Sequence, residues 1–362
     1  MFASKRFLLL VAVAACSRAP SGTVAFGAAG PWNEAYGDAN KKGIQLAVEE
    51  INATPAWSSA RHLEIKFEDD SASGVVASMV AQRFVDSLRI VAVIGHVNST
   101  AMVSAAHIYD KHIAAVATTA TSPSLTGISP WAFRVIPSDS ANGITIAQFA
   151  NARGRKRAAV LYENNPYGRG LADNFQRSFK GRIIAMDPIA DGADQSFEAY
   201  VSWYKREAPD MIFIAGTDGS GLSFLKEARR QQLTGDLVGG DGWQTLAPSA
   251  LAEGIYVGAP FSALDPRPEV QTFVAAYKRK YNATPDGNAA LAYDATKLLA
   301  TAVEKVGADR VKIRDYLAGL TATTEYHGVT GTIRFRPDGD PIGKFIRMTR
   351  VHQGALEVEA GQ

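Results

Sequence analysis

The sequence predicts an α/β protein of two doubly wound parallel-sheet lobes joined by a three-strand hinge. The chain has 362 residues, 46% of them apolar, and this length is too great for one ordinary hydrophobic core. Short apolar runs typical of strands alternate with amphipathic helical stretches along most of the chain. Two such series follow one another, and each indicates a parallel sheet with helices on both faces.

The first series contains three strand-like runs separated by two helical stretches. Apolar residues of the first helical stretch recur at helical spacing, namely Ile44, Ala47, Val48 and Ile51. Connections of this length join neighbouring parallel strands by crossovers. The segments, in order, are TVAFGAAG, ANKKGIQLAVEEINA, HLEIKFEDD, GVVASMVAQRFVDS and IVAVIGHVNST.

The second series begins near RAAVLYENNPYGRGLADNFQRSF, continues through PDMIFIAGTDGSGLSFLKEARRQ and reaches LVGGDGW. The chain is predicted to leave the first half around FRVIPSDSANG and to return at the Pro-rich passage GAPFSALDPRP. A tail of strands joined by a Pro-Asp-Gly turn makes a third crossing. The predicted first lobe is therefore 23–137 plus 262–330, and the predicted second lobe is 138–261 plus 331–362.

The N-terminal segment indicates export. Lys5 and Arg6 precede the apolar stretch FLLLVAVAA, which is far shorter than the roughly 20 residues that span a bilayer. Cys16, the single cysteine, follows small residues at the end of this stretch, as in a bacterial lipoprotein signal. We predict a signal peptide over 1–15, lipidation at Cys16 and a tether over 16–22, the alternative being a soluble export signal with a chance cysteine.

Composition and motifs argue against several functional classes. The 38 basic and 36 acidic residues are spread without long runs of one sign, so no nucleic-acid footprint is present. The dinucleotide, phosphate-loop and nucleophile-elbow patterns each fail in spacing or residue type. The six histidines are scattered, with no zinc spacing. The sequence therefore predicts no catalytic residues, no metal and no cofactor.

Residues 114–127, AAVATTATSPSLTG, interrupt an apolar run with small and hydroxylated residues. None of them can perform acid, base or metal chemistry. Small residues do allow a close approach of the backbone, and their N–H and O–H groups can donate hydrogen bonds. The segment is compatible with a ligand contact, and equally with turns and helix caps.

Several segments together resemble the periplasmic binding proteins that deliver branched-chain and related amino acids to ABC transporters. The resemblance covers nearly the whole chain and implies the type I fold, with ligand in the cleft between two lobes and no reaction catalysed. The matching segments are AYGDANKKGIQLAVEEINA, VAVIGHVNSTAMVSAAHIYDK, ATTATSPSLTG, FRVIPSD, VLYENNPYGRGLADNF, PDMIFIAG, GGDGW, YDATKLLATAVEKVG and GVTGTIRFRPDGD.

The resemblance also implies site residues for an amino acid. It places neutral donors and a carbonyl around the ligand's α-carboxylate and part of its ammonium, from Ser99, Thr119, Ala120 and Thr121. Several aligned hydrogen bonds can replace the water around a carboxylate without a buried cation.

Three further contacts are implied by the same resemblance. Tyr167 closes over the ligand from the second lobe, and Tyr36 forms a wall of the first. Asp241 falls where the family carries an acidic residue that pairs with the ligand's ammonium. Some members have glutamate there, so the shorter aspartate requires a closer ligand or a bridging water.

The chain departs from the family pattern at positions that concern the ligand side chain. Trp32 and Trp243 are predicted to narrow the pocket or to stack on an aromatic ligand. Thr217 and Asp218 replace an aromatic residue of the best-known members. A branched-chain amino acid is therefore not assured, and a receptor for an aromatic acid, an amide or urea remains an alternative, as does an exported enzyme on the same scaffold.

The expected partners follow from the same resemblance. They are an amino acid ligand, the permease subunits of an ABC transporter, and a membrane that is reached only through the lipid anchor. We expect a monomer, located in the periplasm or at the cell surface, that binds no nucleic acid.

Overall fold

The computed structural model describes residues 22–192 and 195–359, and it has the predicted α/β class. The predicted signal peptide, Cys16 and all but the last residue of the predicted tether lie outside the described residues. Within them, two parallel-sheet lobes face each other, which confirms the predicted fold class.

The strands form one five-stranded sheet, one seven-stranded sheet and a small hairpin. Their bounds are β1 (Thr23–Gly30), β2 (His62–Asp69), β3 (Ile90–Gly95), β4 (Ala115–Ala117), β5 (Ala132–Arg134), β6 (Arg157–Glu163), β7 (Arg182–Ile189), β8 (Met211–Ala215), β9 (Asp236–Gly239), β10 (Tyr256–Ala259), β11 (Tyr326–Gly328), β12 (Gly331–Ile333), β13 (Arg347–His352) and β14 (Ala355–Val358).

The helices lie on both faces of each large sheet, as expected for doubly wound lobes. They are α1 (Ala35–Ala53), α2 (Pro55–Ser58), α3 (Gly74–Asp86), α4 (Ser99–Tyr109), α5 (Asp139–Ala152), α6 (Pro166–Ser178), α7 (Glu198–Glu207), α8 (Asp218–Arg230), α9 (Pro268–Tyr281), α10 (Gly287–Val306) and α11 (Arg310–Ala318). Three 3₁₀ turns cover Pro123–Leu125, Asp241–Leu246 and Ala250–Ala252.

The first lobe is an all-parallel sheet in the order β2-β1-β3-β4-β5. β3 reads IVAVIG and is buried along its whole length, because helices cover both faces of the sheet. On one face α1 crosses α10, where Gly43 lets the helices approach closely: a Cβ there would lie 2.1 Å from the Ala289 carbonyl oxygen. On the other face α3 and α4 contribute Phe84 and Met102 to a separate core.

The second lobe is a mixed sheet in the order β14-β13-β10-β9-β8-β6-β7. The five strands from β10 to β7 are parallel, while β13 and β14 pair antiparallel at one edge. α5 and α6 pack on one face around Phe175. α7 and α8 pack on the other around Phe224. Each lobe thus has two hydrophobic cores, one on each side of its sheet.

The last crossing between the lobes comes later than the sequence predicted. The sequence predicts residues 331–362 in the second lobe, but Ile333 and Phe335 belong to the core of the first. Phe335 packs on Phe133 with ring centroids 4.9 Å apart. Ile346 and Met348 are buried in the second lobe, so the chain crosses between residues 335 and 346.

A buried arginine connects three chain segments at the hinge side of the first lobe. Arg134, at the end of β5, donates from Nε to the Asp340 carboxylate at 2.6 Å and from Nη1 to the carbonyl oxygens of Thr121 and Ser122, both at 2.9 Å. This guanidinium therefore holds together residues from two different crossings and the segment behind the cleft.

Candidate functional site

A polar cleft of ≈ 540 Å³ lies between the lobes, at the carboxyl ends of both sets of parallel strands. This position is where open α/β sheets bind ligands, and the volume is within the range of small-molecule sites. The first lobe contributes Pro31, Asn33, Glu34, Tyr36, Asp69, Ser71, Ala72, Val97, Asn98, Ser99, Thr100, Thr119 and Asn288, and the second contributes Glu163, Asn165, Tyr167, Asp191, Gly192, Thr217, Asp218, Gly219, Asp241 and Gly242.

The loop that follows β3 is held from behind by buried side chains. Gly95 has φ +109°, and a Cβ there would lie 2.4 Å from the Ala29 carbonyl oxygen, so glycine is required at this turn. His96 is fully buried, with Nδ1 2.7 Å from the Asp70 carboxylate and Nε2 2.9 Å from the Tyr109 hydroxyl. These contacts fix the backbone that carries Asn98 and Ser99 into the cleft.

Ser99 begins α4 and presents a hydroxyl at the cleft wall. Its Oγ accepts hydrogen bonds from the N–H groups of Thr121 at 3.2 Å and Ser122 at 3.0 Å. Because these two bonds use only acceptor capacity, the hydroxyl keeps its own hydrogen to donate. Thr119 also lines the cleft, and its hydroxyl donates to the Val97 carbonyl oxygen at 3.1 Å.

Ala120 and Thr121 lie behind this wall and do not line the cleft. Both are fully buried, and the Thr121 carbonyl accepts from Arg134 and from the Asp139 backbone N–H. The expectation of direct ligand contact is therefore not met for these two residues. Their role in the structure is to connect Ser99 to the hinge.

Two tyrosines that the family resemblance implies as ligand contacts line the cleft from opposite lobes. Tyr36, in the first turn of α1, accepts a hydrogen bond from the Asn98 side-chain amide at 3.0 Å. Tyr167, in the first turn of α6, donates to Asp241 at 3.1 Å and accepts from the Gly242 N–H at 3.1 Å. Burial raises the pKa of both phenols, so both remain neutral donors or acceptors.

Asp241 stands at the start of the 3₁₀ turn after β9 and is only 4% exposed. Burial raises its carboxyl pKa to about 6, and the Tyr167 hydrogen bond opposes that rise. Nearby Asp139 is fully buried, and burial and the charge of Asp241 raise its pKa well above the ordinary value. No Lys or Arg is found among the described residues that line the cleft.

The two tryptophans are not in the cleft, so those predictions are wrong. Trp243 is fully buried in the second-lobe core, with its ring over Gly239 and its indole nitrogen at Gly221. Trp32 turns to the edge of the first lobe, where its indole N–H donates to the Glu68 carbonyl oxygen at 2.9 Å and its ring meets Phe67 edge-on.

Two buried acids lie at the carboxyl ends of second-lobe strands: sequence reasoning missed Glu163 and named Asp218 only as a departure from the family pattern. Glu163 ends β6 and accepts hydrogen bonds from Thr217, Ser220 and Asn165. Asp218 follows β8 at the start of α8 and accepts from the Thr245 hydroxyl at 2.7 Å; burial raises its pKa to about 6. Their position after neighbouring parallel strands is the sequence signal that could have identified them.

Two α/β lobes that face each other across a ligand-sized polar cleft define a two-lobed binding protein. Within 22–192 and 195–359, no cluster of His, Cys, Asp or Glu is arranged to hold a metal ion. The same residues contain no helix long and apolar enough to cross a bilayer. The chain belongs to the periplasmic binding protein family, whose profile matches residues 26–355.

Curated relatives and solved structures are similar over almost the full chain. The leucine-, isoleucine-, valine-, threonine- and alanine-binding protein of Pseudomonas aeruginosa is 28% identical over 90% of this chain and 88% of its own length. The branched-chain amino acid binding protein LivJ of Streptococcus pneumoniae, solved with isoleucine, is 28% identical, with TM-score 0.85 over 93% of this chain and 99% of its own. The leucine-binding protein LivK of Thermotoga maritima is 27% identical, with TM-score 0.84 over 93% and 98%.

Proposed function

We propose that this protein is an extracytoplasmic solute-binding protein that captures an amino acid in the interlobe cleft and delivers it to an ABC transporter. The observation that carries the proposal is Asp241, a buried carboxylate at the cleft with no cationic partner among the described lining residues. A buried anion of this kind is costly unless a cation joins it. A ligand ammonium supplies that cation.

The first lobe supports binding of the opposite end of a zwitterion. α4 begins at Ser99, and no side chain caps it at Asn98, so the N–H groups of its first turn face the cleft with the positive end of the helix dipole. The Ser99 hydroxyl stands beside them. These neutral donors suit an α-carboxylate, and a carboxylate at a helix N-terminus is stabilised without a buried lysine or arginine.

Binding at both ends links the ligand to lobe closure. The donors for the ligand's α-carboxylate belong to the first lobe, and Asp241 and Tyr167 belong to the second. A single amino acid bound at both ends would therefore contact both lobes at once. Ligand affinity is therefore greatest in the closed arrangement, and binding shifts the population toward it. No covalent step is needed, and we expect no turnover of the ligand.

The relatives named above bind leucine, isoleucine, valine, threonine or alanine by their names, which makes a branched-chain or other hydrophobic amino acid the first ligand class to test. A receptor for an aromatic acid is the alternative, but an acid without an ammonium would leave the buried Asp241 carboxylate without a cationic partner. The benzoate-bound neighbour from R. palustris is 20% identical and shares the fold.

A thermal-shift screen over amino acids, amides, urea and aromatic acids tests the proposal. Ligand at about 100 times its dissociation constant adds about 2.7 kcal/mol to the free energy of unfolding, which is readily detected. The proposal requires that the stabilising compounds carry an α-ammonium and an α-carboxylate. Stabilisation by benzoates or amides and by no amino acid would refute it.

The location and partners are part of the same proposal. Lipidation at Cys16 would tether the protein to a membrane, and a chain held there as a monomer would meet the permease subunits. The membership in a periplasmic family supports an extracytoplasmic site of action. The proposed lipid anchor follows from the sequence pattern at Cys16, and the proposed permease partner and monomeric state follow from the resemblance to the family.

A further inference from the structure

A second buried carboxylate lines the same cleft as the proposed ammonium site. Asp218 is 8% exposed, lines the cleft and accepts a hydrogen bond from Thr245 at 2.7 Å. Thr245 belongs to the same 3₁₀ turn that begins with Asp241. The two acids therefore come from the ends of adjacent strands, β8 and β9, and are linked through one turn.

The other cleft acids differ from Asp218 in their partners or exposure. Glu163 receives four hydrogen bonds from Thr217, Ser220 and Asn165 of its own lobe. The Asp69 carboxylate accepts hydrogen bonds from the backbone N–H groups of Trp32 and Ser71. Glu34 and Asp191 are exposed, so water solvates them. Asp218 is buried, and its carboxyl has two neutral donors, the Thr245 hydroxyl and the Gly219 backbone N–H, and no cation.

The charges of the cleft do not balance around a neutral side chain. The described lining contains six carboxylates and no lysine or arginine. An amino acid brings one ammonium, for Asp241, and one carboxylate, so its backbone adds no net positive charge. Glu34 of the first lobe acts on Asp218 across the cleft and, with burial, raises the pKa of that carboxyl. Bringing the lobes together around an apolar side chain would leave this repulsion in place.

We propose that the preferred ligand is an amino acid whose side chain ends in a cation, an ammonium or guanidinium, bound by Asp218 with Glu34 on the opposite wall. This inference rests on the proposed amino-acid function and specifies its substrate class. A cation between Asp218 and Glu34 attracts both carboxylates and so offsets their mutual repulsion. It also gives Asp218 the charged partner that a buried carboxylate requires. The cleft volume of ≈ 540 Å³ has room for such a side chain.

Titration calorimetry of the purified protein with L-lysine and L-norleucine tests the inference, because these amino acids differ only in the terminal ammonium. We expect L-lysine to bind at least about tenfold more tightly, in keeping with a charge-assisted bond. L-ornithine and L-arginine test other lengths and head groups. The inference is overturned if no cationic amino acid binds more tightly than L-norleucine.

Variants distinguish a specific contact of Asp218 with the ligand from an effect of the overall negative charge of the cleft. Asp218→Asn should remove most of the preference for L-lysine while L-norleucine affinity stays the same or rises. Glu34→Gln, at an exposed position, should reduce the preference without risk to folding. Asp173→Asn is the matched control, since it removes one charge from an exposed position of the second lobe that does not line the cleft, and it should retain the preference. An equal loss in Asp173→Asn and Asp218→Asn would overturn the specific role.

The two proposals fail in different ways. If L-norleucine or L-leucine binds and no cationic amino acid binds more tightly, the proposed function stands and the inference about Asp218 is wrong. If no α-amino acid binds at all, the proposed function fails and this inference fails with it. Circular dichroism of each variant verifies that the fold is retained.

Discussion

Substitution of Asp241 by asparagine tests the ammonium anchor most directly. Asparagine has nearly the same shape and keeps an oxygen that can accept the Tyr167 hydrogen bond, seen at 3.1 Å. The change therefore removes the charge and little else. Burial raises the pKa of the wild-type carboxyl to about 6, which is still below pH 7, so the carboxyl is mainly ionised when the ligand arrives.

The expected loss of affinity follows from the burial of this group. A charge-assisted hydrogen bond contributes about 1.5 to 3 kcal/mol, and an ammonium enclosed without its counter-ion can cost about 3 to 5 kcal/mol. Because Asp241 is only 4% exposed, water cannot readily replace the lost charge. We expect at least about a tenfold weaker amino-acid affinity, since about 1.4 kcal/mol corresponds to a factor of ten.

Calorimetry should compare the tightest amino acid from the screen with the same molecule lacking its α-amino group. For lysine this analogue is 6-aminohexanoate, and for leucine it is 4-methylpentanoate. The amino acid should lose much more affinity than the analogue. In the wild type, affinity should also fall as the pH drops through about 6, because protonation of Asp241 removes the anion. The Asn variant should show a smaller fall, since Asp218, whose pKa is also about 6, still titrates in the cleft. Equal losses for both compounds would refute the anchor.

Three other substitutions have defined outcomes. Tyr167→Phe removes the hydroxyl that donates to Asp241 and accepts from Gly242, so calorimetry should show affinity weaker by about fivefold, as expected for about 1 kcal/mol, and unchanged affinity would contradict the contact. Asp218→Asn should raise the melting temperature of the unliganded protein at pH 8: the folded pKa near 6 lies above the ordinary 3.8, so the ionised carboxyl destabilises the fold by up to about 3 kcal/mol above pH 6. That gain should shrink as the pH falls through 6 toward 4, and a gain equal at pH 8 and pH 5 would point to another cause. Cys16→Ser should abolish acylation, and mass spectrometry that finds the wild-type chain cleaved beyond Cys16 and unmodified would exclude the lipoprotein prediction.

The fold was predictable because each element carries its own periodicity. β3 is a continuous apolar run, and the burial of Ile44, Ala47 and Ile51 on α1 matches the helical spacing in the sequence. The late third crossing was not predictable in this way. The segment 331–335 has the composition of a strand in either lobe, and only the packing of Phe335 on Phe133 assigns it to the first.

Side-chain direction explains the error at Trp243. Asp241 and Trp243 stand two residues apart in a 3₁₀ turn, which has three residues per turn, so they point to different sides. Asp241 faces the cleft and Trp243 enters the core. For Asp218 the sequence signal is too weak to indicate a binding role, since an acid at the start of a helix is common. Only the pairing of β8 with β9 brings it beside the turn of Asp241.

The burial of Asp139 beside Asp241 determines which of the two carries the charge. Asp139 lies at the first crossing between the lobes and is fully buried, with the neutral side chains of Thr121 and Asn142 next to its carboxyl. Two carboxylates in such surroundings cannot both ionise readily, and the more deeply buried one keeps its proton. Its pKa is raised well above the ordinary value, whereas that of Asp241 is about 6. Of this pair, the proton is therefore held preferentially at the hinge and the negative charge at the cleft, where Asp241 can meet an arriving ammonium.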